Sequence, residues 1–328
     1  MIGINRRQPD EYSSKYDMVS KKKAKRRIKA SIVNKVTTIA LAVCSVILLS
    51  TGILGFLTKD TIEPNKAKLE GKYGHMEIAK IDEIPENLKN AVVSIEDKRF
   101  YSHKGVDFLG LGRAFVKNIL KGSLEGGSTL EMQISKNLMT SQEKSFKRKL
   151  QDIKTAYEMN KNMSKEDILE VYLNSIYLGG GATGVKAGAR IYFAKDISEL
   201  NLAECALLAG ITKHPSKYMA YISKPITLKD TKKDLENKLV FSYVDDTNKS
   251  LVVKENIIEK LKSMNLLTDA QYEDLKAGTM KVQKAELNPN AIERQKVVLE
   301  AMKSNRVISK KEYEEALNTP IVINTSLK

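Results

Sequence analysis

The sequence predicts a mostly α-helical protein that has one N-terminal transmembrane helix and a C-terminal helical extension. Three observations lead to this prediction. An uncharged run of 22 residues extends from Val36 to Leu57. From Ile78 onward, apolar residues recur with the period of a helix, and strand-like alternation is scarce. Residues 221–328 are rich in lysine and glutamate and repeat one helical pattern.

The uncharged run is predicted to be a retained membrane anchor. A helix over residues 36–57 is about 33 Å long, which is enough to cross the hydrocarbon core of a bilayer. The run is longer than the apolar part of a secretory signal peptide, and no A-x-A-like cleavage site follows it. These features favour an anchor over the alternative of a cleaved signal peptide.

The distribution of charge predicts how the anchor is oriented. Of the formal net charge of +15, a net of +8 lies in residues 1–35, which hold eleven basic and three acidic residues. By the positive-inside rule this basic tail stays in the cytoplasm and the chain after residue 57 is exported. The chain is thus expected to be a single-pass protein of the cell membrane. Beside a membrane span, a basic run indicates topology and contact with anionic lipid, so no nucleic-acid partner is expected.

Composition argues against several classes of function. The chain has no tryptophan and only 6% aromatic residues, which disfavours an aromatic platform for nucleic acid or sugar. Its two cysteines are Cys44, within the span, and Cys205, in an apolar run. They exclude a disulfide framework and a cysteine-based zinc site. Cys205 is expected to be a small core residue.

The exported part is predicted to begin with a polar tether over residues 58–77, followed by a helical domain over residues 78–220. Ser164 is a plausible N-cap, because Asp167 follows it at the spacing of a capping box. The helices expected in this domain are Leu88–Ile95, Phe108–Leu120, Thr129–Met139, Ser145–Asn160, Ser164–Ile176, Ala182–Ala194 and Leu200–Ile211.

Residues 221–328 are predicted to be a helical repeat or linker region. Residues 258–282 align with residues 299–323 at an offset of 41 positions, and each copy carries a capping box at the same place. The boxes pair Thr268 with Gln271 and Ser309 with Glu312. The pattern predicts two helix-turn-helix units that pack by their apolar faces, without catalytic residues.

The first chemical candidate is the acidic pair at the end of the helix that leads into Glu96. A carboxylate at the edge of an apolar helix loses hydration, which raises its pKa toward that of a useful general base. Asp97 follows directly, and His103 is expected to hydrogen-bond nearby backbone and hold the loop. The alternative interpretation is a solvated helix end.

A second candidate is an anion site at the start of the helix that follows Gly126, Gly127, Ser128 and Thr129. Backbone N–H groups, hydroxyls and the positive end of a helix converge in such a segment. The cations that could join them to hold a pyrophosphate are Lys136, Arg148 and Lys149. Arg148 and Asp152 stand at i and i+4 on one helix face, where a surface ion pair is the alternative interpretation.

These segments together resemble glycosyltransferase family 51, the peptidoglycan glycosyltransferase domain of class A penicillin-binding proteins and of monofunctional transglycosylases. The resemblance covers about Ile84 to Tyr218, and all five motif blocks of the family occur in order. They are EDKRFYSHKGVD (Glu96–Asp107), GGSTLEMQISKN (Gly126–Asn137), RKLQD (Arg148–Asp152), KEDILEVYLN (Lys165–Asn174) and ARIYFAKDISELNLAECALLAG (Ala189–Gly210).

The sequence departs from the family pattern at four positions. Met132 replaces the first glutamine of the pair that usually follows GGST, while Gln133 keeps the second. Asp152 stands where the family has glutamate, and Ala194 where it has glycine. Glu131 stands where the family usually has no acid, and its replacement by glutamine is expected to be nearly silent.

The resemblance implies an inverting transfer on a lysozyme-like fold. Glu96 would deprotonate the 4-hydroxyl of lipid II, which attacks the nascent glycan strand and releases polyprenyl diphosphate. Asp152 would be the second catalytic residue, orienting the cations or holding Mg²⁺ or another divalent cation, with no organic cofactor. Asp97 and His103 would support the site. The residues implied in substrate binding are Gly126, Gly127, Ser128, Thr129, Gln133, Lys136, Asn137, Arg148 and Lys149.

Two alternatives to an active polymerase stay open. One is a degenerate, non-catalytic scaffold that binds lipid II or cell-wall proteins, which the departures at Met132 and Asp152 favour. The other is a muramidase-type hydrolase, although a hydrolase does not need cations for a pyrophosphate. The chain has no Lys-Thr-Gly motif, so no transpeptidase domain is expected. A separate transpeptidase or other cell-wall synthesis proteins are then the expected partners, besides the membrane.

Overall fold

The computed structural model describes residues 77–121, 127–139, 146–244 and 253–326, together with Lys66 and eight residues between 30 and 41. Among the residues described, no helix combines the length and the apolar character needed to cross a bilayer. The expected anchor over residues 36–57 and the tether over residues 58–77 lie almost wholly outside them.

The described chain is mostly helical. Short 3₁₀ and π-helical turns lie at Ile197–Glu199 and Ser135–Met139. The α-helices are α1 (Glu86–Glu96), α2 (Phe108–Lys121), α3 (Leu130–Ile134), α4 (Phe146–Asn162), α5 (Lys165–Ser175), α6 (Val185–Phe193), α7 (Leu202–Ile211), α8 (Pro215–Tyr218), α9 (Lys232–Leu235), α10 (Glu255–Ser263), α11 (Asp269–Lys276), α12 (Pro289–Ser304) and α13 (Lys310–Asn318). The strands are β1 (Tyr177–Gly179), β2 (Ala182–Thr183), β3 (Tyr221–Lys224), β4 (Leu239–Tyr243) and β5 (Met280–Leu287).

The chain divides into two compact units. One consists of residues 1–61 and 107–127, and the other of residues 62–106 and 128–328. Within the first unit α2 begins at Phe108, and the Asp107 carboxylate accepts a hydrogen bond from the Gly110 N–H at 2.6 Å. All other helices and strands named above belong to the second unit.

The core of the second unit is built around α7. This helix is apolar on all sides and is buried from Ala203 to Ile211, as expected for a central helix. Its N-cap Asn201 and Glu204 form a reciprocal capping box. Helices α1 and α12 pack against it. Cys205 is fully buried in this helix, as the sequence predicted, and burial raises the pKa of its thiol to about 12.

A three-stranded antiparallel sheet, in the order β3–β5–β4, was not expected from the sequence. Its central strand β5 reads MKVQKAEL, in which lysine, glutamine and glutamate hide the apolar alternation. The buried apolar residues of this strand are Val282 and Ala285. Only the pairing with both neighbouring strands identifies the segment as extended, because its intrinsic strand propensity is low.

Residues 258–323 contain the two capping boxes that the sequence predicted for the helical repeat, and strand β5 lies between them. Both capping boxes are present, at Thr268 and at Ser309. Each copy also stacks a lysine on a tyrosine, with Lys262 Nζ 5.1 Å from the ring centre of Tyr272 and Lys303 Nζ 3.8 Å from that of Tyr313.

The two copies pack into different cores. Helices α10 and α11 pack with β5 in a small apolar cluster that includes Leu261 and Leu275. Helices α12 and α13 contribute Leu299, Met302 and Ala316 to the main core. The residues after position 220 therefore complete the helical core that surrounds α7.

Candidate active site

Glu96 is the last residue of α1 and is half-buried. The helix ends here because Asp97 adopts a non-helical backbone, with φ −151° and ψ 72°. Glu96 Oε2 accepts a hydrogen bond from Gln133 Nε2 at 3.0 Å, and Oε1 accepts one from Thr212 Oγ1 at 2.7 Å. The carboxylate is thus held in one orientation by donors from α3 and from the end of α7.

The orientation of Gln133 is determined by Tyr172 on α5. The phenol O–H of Tyr172 donates to Gln133 Oε1 at 3.2 Å, which leaves the amide N–H₂ group to face Glu96. Tyr172 is fully buried, and burial raises its pKa well above the ordinary value, with smaller contributions from the charges of Glu96 and Asp97. Tyr172 therefore stays protonated and remains a donor.

Asp97 fastens the loop after α1 to the start of α3. Its Oδ2 lies 2.8 Å from His103 Nε2 and accepts a hydrogen bond from the Leu130 N–H at 3.2 Å. Both Asp97 and His103 are buried. The sequence predicted a backbone partner for His103, but the structure shows the Asp97 carboxylate as its partner. The pair supports the loop that follows Glu96.

Thr129 lies inside the fold as the N-cap of α3. Its Oγ1 donates to the Gly105 carbonyl at 2.7 Å and accepts from the Met132 N–H at 3.3 Å. Only 1% of Thr129 is exposed. Gly105 has φ +86°, and a Cβ there would lie 2.3 Å from the Ala156 carbonyl oxygen, so only glycine fits. The buried Thr129 hydroxyl therefore holds the start of α3 in position from inside the fold.

The other residues of the GGST segment (126–129) differ from Thr129 in their burial and location. Ser128 is half-buried in the second unit, and Gly127 belongs to the first unit. Gly126 lies outside the described residues. Lys136 and Asn137 lie in the π-helical turn that follows α3, and both are exposed. Such turns are rare and frequently occur at functional sites.

Three cations lie near one another on the π-helical turn and on α4. We call Lys136, Arg148 and Lys149 the cation cluster. Lys149 Nζ donates to Ser128 Oγ at 2.9 Å, which joins the second and third motif blocks. Burial lowers the pKa of Lys149; the charge of Asp152 opposes this change, whereas those of Arg148 and Lys136 add to it. The cluster is therefore a site of concentrated positive charge.

Asp152 is buried beside the cation cluster, with 2% exposure. Its Oδ1 accepts from Ser135 Oγ at 2.9 Å, and its Oδ2 lies 3.7 Å from Arg148 Nε. A Mg²⁺ ion that bridges a protein to phosphates needs an accessible carboxylate oxygen, usually with water beside it. A buried carboxylate with a hydroxyl and a guanidinium as neighbours does not fit that requirement.

Glu131 differs from its sequence-based expectation. It is fully buried, and its Oε1 lies 2.7 Å from Lys165 Nζ. Burial raises the pKa of this carboxyl, and the charge of Lys165 opposes that change. Ligand atoms of Asp97, His103 and Glu131 lie within 4.8 Å of one another. Lys165 already supplies the cation for this group, so we assign it a structural role.

Two residues that support the orientation of Glu96, one directly and one through Gln133, were not identified from the sequence. Tyr172 lies in the fourth motif block, so its place in a recognised motif was an available signal. Thr212 follows α7 in an ordinary ITKHP run, and no local pattern marks it. The bond between Thr212 and Glu96 joins residues 116 positions apart, which only packing reveals.

The profile of the family described as Transglycosylase matches residues 65–240, which is more than half of the 328-residue chain. The chain belongs to this family.

Individual relatives match the same class. Penicillin-binding protein 1A of Neisseria lactamica is 48% identical over 161 residues, which cover 48% of this chain and 20% of that protein. A Cupriavidus necator protein named as a transglycosylase is 47% identical over 136 residues, covering 42% of this chain and 59% of its own. The chain thus spans about a fifth of the penicillin-binding protein 1A relatives that it matches.

A solved structure, that of penicillin-binding protein 1A from Haemophilus influenzae, aligns with 77% of this chain and 19% of its own. The sequence identity is 20% and the TM-score is 0.33, so the family assignment depends on the sequence matches.

Proposed function

We propose that this chain is a peptidoglycan glycosyltransferase that polymerises lipid II, with Glu96 as the general base. The observation that carries the proposal is the stretch formed by α3 and the following π-helical turn. Gln133 on this stretch holds Glu96, Ser135 holds Asp152, and Lys136 belongs to the cation cluster. Three residues advance an α-helix by about 4.5 Å, so base and cations occupy one region.

The proposed reaction is a single inverting displacement. Glu96 removes the proton from the 4-hydroxyl of the acceptor sugar as that oxygen attacks the anomeric carbon of the donor. The bond from that carbon to the donor's pyrophosphate breaks, and polyprenyl diphosphate leaves with the bonding electron pair. Because negative charge grows on the pyrophosphate, the cation cluster stabilises the transition state more than the ground state.

Asp152 has a supporting role in this proposal. Its carboxylate lies beside Arg148 and, through charge, beside Lys149. It therefore orients the cations and partly balances their mutual repulsion. Because the carboxylate is buried, we assign no step to a divalent cation held by Asp152.

Met132 bears on the alternative of a non-catalytic scaffold. On sequence alone, its departure from the family's glutamine favours that scaffold. Met132 is buried, with 2% exposure, so it packs inside the fold while Gln133 faces Glu96. This placement supports an active enzyme. The cation cluster likewise disfavours a hydrolase, because cleavage of a neutral glycosidic bond leaves no pyrophosphate.

The test of this function is Glu96→Gln, which keeps the shape of the side chain and removes the proton acceptor. Full-length protein is incubated with lipid II, and the glycan polymer is separated on a gel. We expect the rate to fall by about 10²–10⁴-fold, as for general-base removal.

The matched control is Glu86→Gln, an exposed residue at the start of the same helix. It should leave the rate unchanged. Polymer formation at the wild-type rate by Glu96→Gln would overturn the mechanism, and absence of polymer with the wild-type chain would overturn the function.

We also propose that the chain is anchored in the cell membrane with its N-terminus in the cytoplasm. Both substrates are held by lipid at the outer leaflet, so an enzyme anchored there encounters them by lateral diffusion in the membrane. A reporter that works only in the cytoplasm, fused after Lys328, should be inactive. An active reporter would contradict this topology.

A further inference from the structure

Helix α12 lies beyond the residues matched by the family profile, yet it packs against two helices that support the proposed base. The match stops at residue 240, whereas α12 spans Pro289–Ser304. The helix contacts α1, which ends at Glu96, and α7, which leads into Thr212. A segment outside the family match therefore packs on the support of Glu96.

Two side-chain amides fasten α12 to these helices. Gln295, in the middle of α12, donates to the Ala203 carbonyl at the start of α7, at 2.8 Å and within the core. Asn305, the C-cap of α12, donates from Nδ2 to the Ser94 carbonyl of α1 at 3.3 Å. The contact of Asn305 is thus made two residues before Glu96.

The Ser94 carbonyl belongs to the part of α1 that needs partners from outside the helix. The last four carbonyl groups of an α-helix have no intrahelical N–H to bond. The Val93 carbonyl is satisfied by the N–H of Asp97, at 3.1 Å. The next carbonyl, that of the buried residue Ser94, receives the Asn305 amide. Asn305 therefore caps α1 from another helix.

The backbone that presents Asn305 is strained. After the C-cap, the Arg306 N–H bonds to the Lys303 carbonyl at 3.0 Å and the Val307 N–H to the Met302 carbonyl at 3.1 Å. These two bonds form a Schellman motif, which needs a left-handed residue directly after the C-cap. Arg306 has this conformation, with φ 60°, although glycine and asparagine adopt it more readily.

The first copy of the repeat ends its helix in the same way but without this strain. At the offset of 41 positions, Met264 and Asn265 correspond to Asn305 and Arg306. Asn265 takes the left-handed position, with φ 54°, and Met264 is the C-cap. In the second copy the asparagine stands one position earlier, where its amide reaches Ser94, and an arginine takes the unfavourable conformation. Local strain of this kind indicates that the contact serves a function.

We propose that Asn305 is a positioning residue for Glu96, because it caps the end of α1 and so fixes the direction in which that helix presents the base. The proposal rests on the proposed function. Thr212 holds the carboxylate itself, and Asn305 holds the backbone that carries it. Since a small misplacement of a catalytic group costs much of the rate, Asn305 should affect kcat more than KM.

The experiment transfers the residues of the first copy to the second in full-length protein, with lipid II as substrate. The variants are Asn305→Met, Arg306→Asn and the two combined, and kcat, KM and melting temperature are measured for each. Asn305→Met removes the amide donor, so we expect kcat to fall by about threefold or more, with little change in KM.

The combined variant separates positioning from stability. Arg306→Asn alone relieves the left-handed strain and keeps the amide of Asn305, so the melting temperature should rise by about 2 °C or more at unchanged kcat. Asn305→Met combined with Arg306→Asn should melt close to the wild type and still show the lower kcat. The matched control is Asn318→Met, which removes an exposed amide bond to the Glu314 carbonyl, 2.9 Å long, at the end of α13. It should leave kcat unchanged.

A wild-type kcat in Asn305→Met, or in the combined variant, would overturn the role of Asn305. A fall in kcat of the same size in Arg306→Asn would also overturn it, because that variant keeps the amide. Failure of the wild-type chain to polymerise lipid II would instead contradict the proposed function, so the two failures are distinguishable.

Discussion

Thr212 Oγ1 lies 2.7 Å from Glu96 Oε1 and 2.8 Å from the carbonyl oxygen of Ala209. The single hydroxyl proton can serve both acceptors, but the carboxylate is the stronger one. The contact ties the end of α7 to the end of α1, so the central helix of the core directly orients the proposed base.

Removing this hydroxyl should slow the reaction. Thr212→Val keeps the shape of the side chain and deletes a hydrogen bond to a charged group, which is worth about 1.5–3 kcal/mol. We expect kcat for lipid II polymerisation to fall by roughly 10-fold or more, with a small change in KM. Thr212→Ser keeps the hydroxyl and serves as the control. Equal kcat in the Val variant and the wild type would show that the bond does not orient the base.

Asp152 should act through its charge. Asp152→Asn leaves Arg148 and Lys149 without their carboxylate, which disturbs a buried ion pair. We expect activity to fall by at least about 10-fold and the melting temperature to drop. Asp152→Glu should keep most of the activity, with some loss of stability because the site is buried and an added methylene must be accommodated.

The control for Asp152 is Ser135→Ala, which removes one hydrogen bond to the carboxylate and preserves its charge. It should cost less activity than Asp152→Asn. Wild-type activity in Asp152→Asn would contradict the role in orienting the cations.

Replacing Ala194 with glycine should stabilise the folded chain. This residue ends α6 with φ 51° and ψ 36°, a left-handed conformation that costs an alanine roughly 1–2 kcal/mol. Ala194→Gly relieves this strain but adds chain entropy to the unfolded state, so we expect a gain of up to about 1 kcal/mol. Thermal melting should show a rise of a few degrees.

The matched control is Ala187→Gly, in the interior of the same helix, where glycine should destabilise the chain by about 0.5–1 kcal/mol. A lower melting temperature for both variants would mean that the left-handed conformation of Ala194 is not strained.

The buried carboxyl of Glu131 should make the stability of the folded chain depend on pH in a specific way. Because burial raises its pKa in the folded state, the folded chain holds the proton more tightly than the unfolded chain does. The contribution of this group to stability therefore falls as pH rises from its ordinary pKa, near 4.5, through the raised value. Glu131→Gln cannot lose a proton and should escape this fall.

Melting temperatures of the wild type and Glu131→Gln between pH 4 and pH 8 test this prediction. The melting temperature of Glu131→Gln should increase relative to that of the wild type as pH rises. Glu166→Gln, an exposed residue at the start of α5, should run parallel to the wild type. A constant difference between Glu131→Gln and the wild type would contradict the raised pKa.

The sequence by itself determined the helical class, the family motifs and the local ends of helices. Ser164, Thr268 and Ser309 each cap a helix as predicted, because a capping bond joins residues three positions apart. Such contacts depend only on short-range geometry, so the spacing of residues along the sequence is enough to predict them. Glu96 was chosen as the candidate base in the same way, from its place at the end of an apolar helix and within a motif.

Only the tertiary structure decided which distant side chains meet that carboxylate. Gln133 lies on α3 and Thr212 at the end of α7, and the bond from Thr212 spans 116 positions. Packing also decided that Glu131 is an ion-paired interior residue and that a charged segment forms the central strand of a sheet. A side chain's environment is set by the neighbours that folding brings to it, and local sequence does not encode those neighbours.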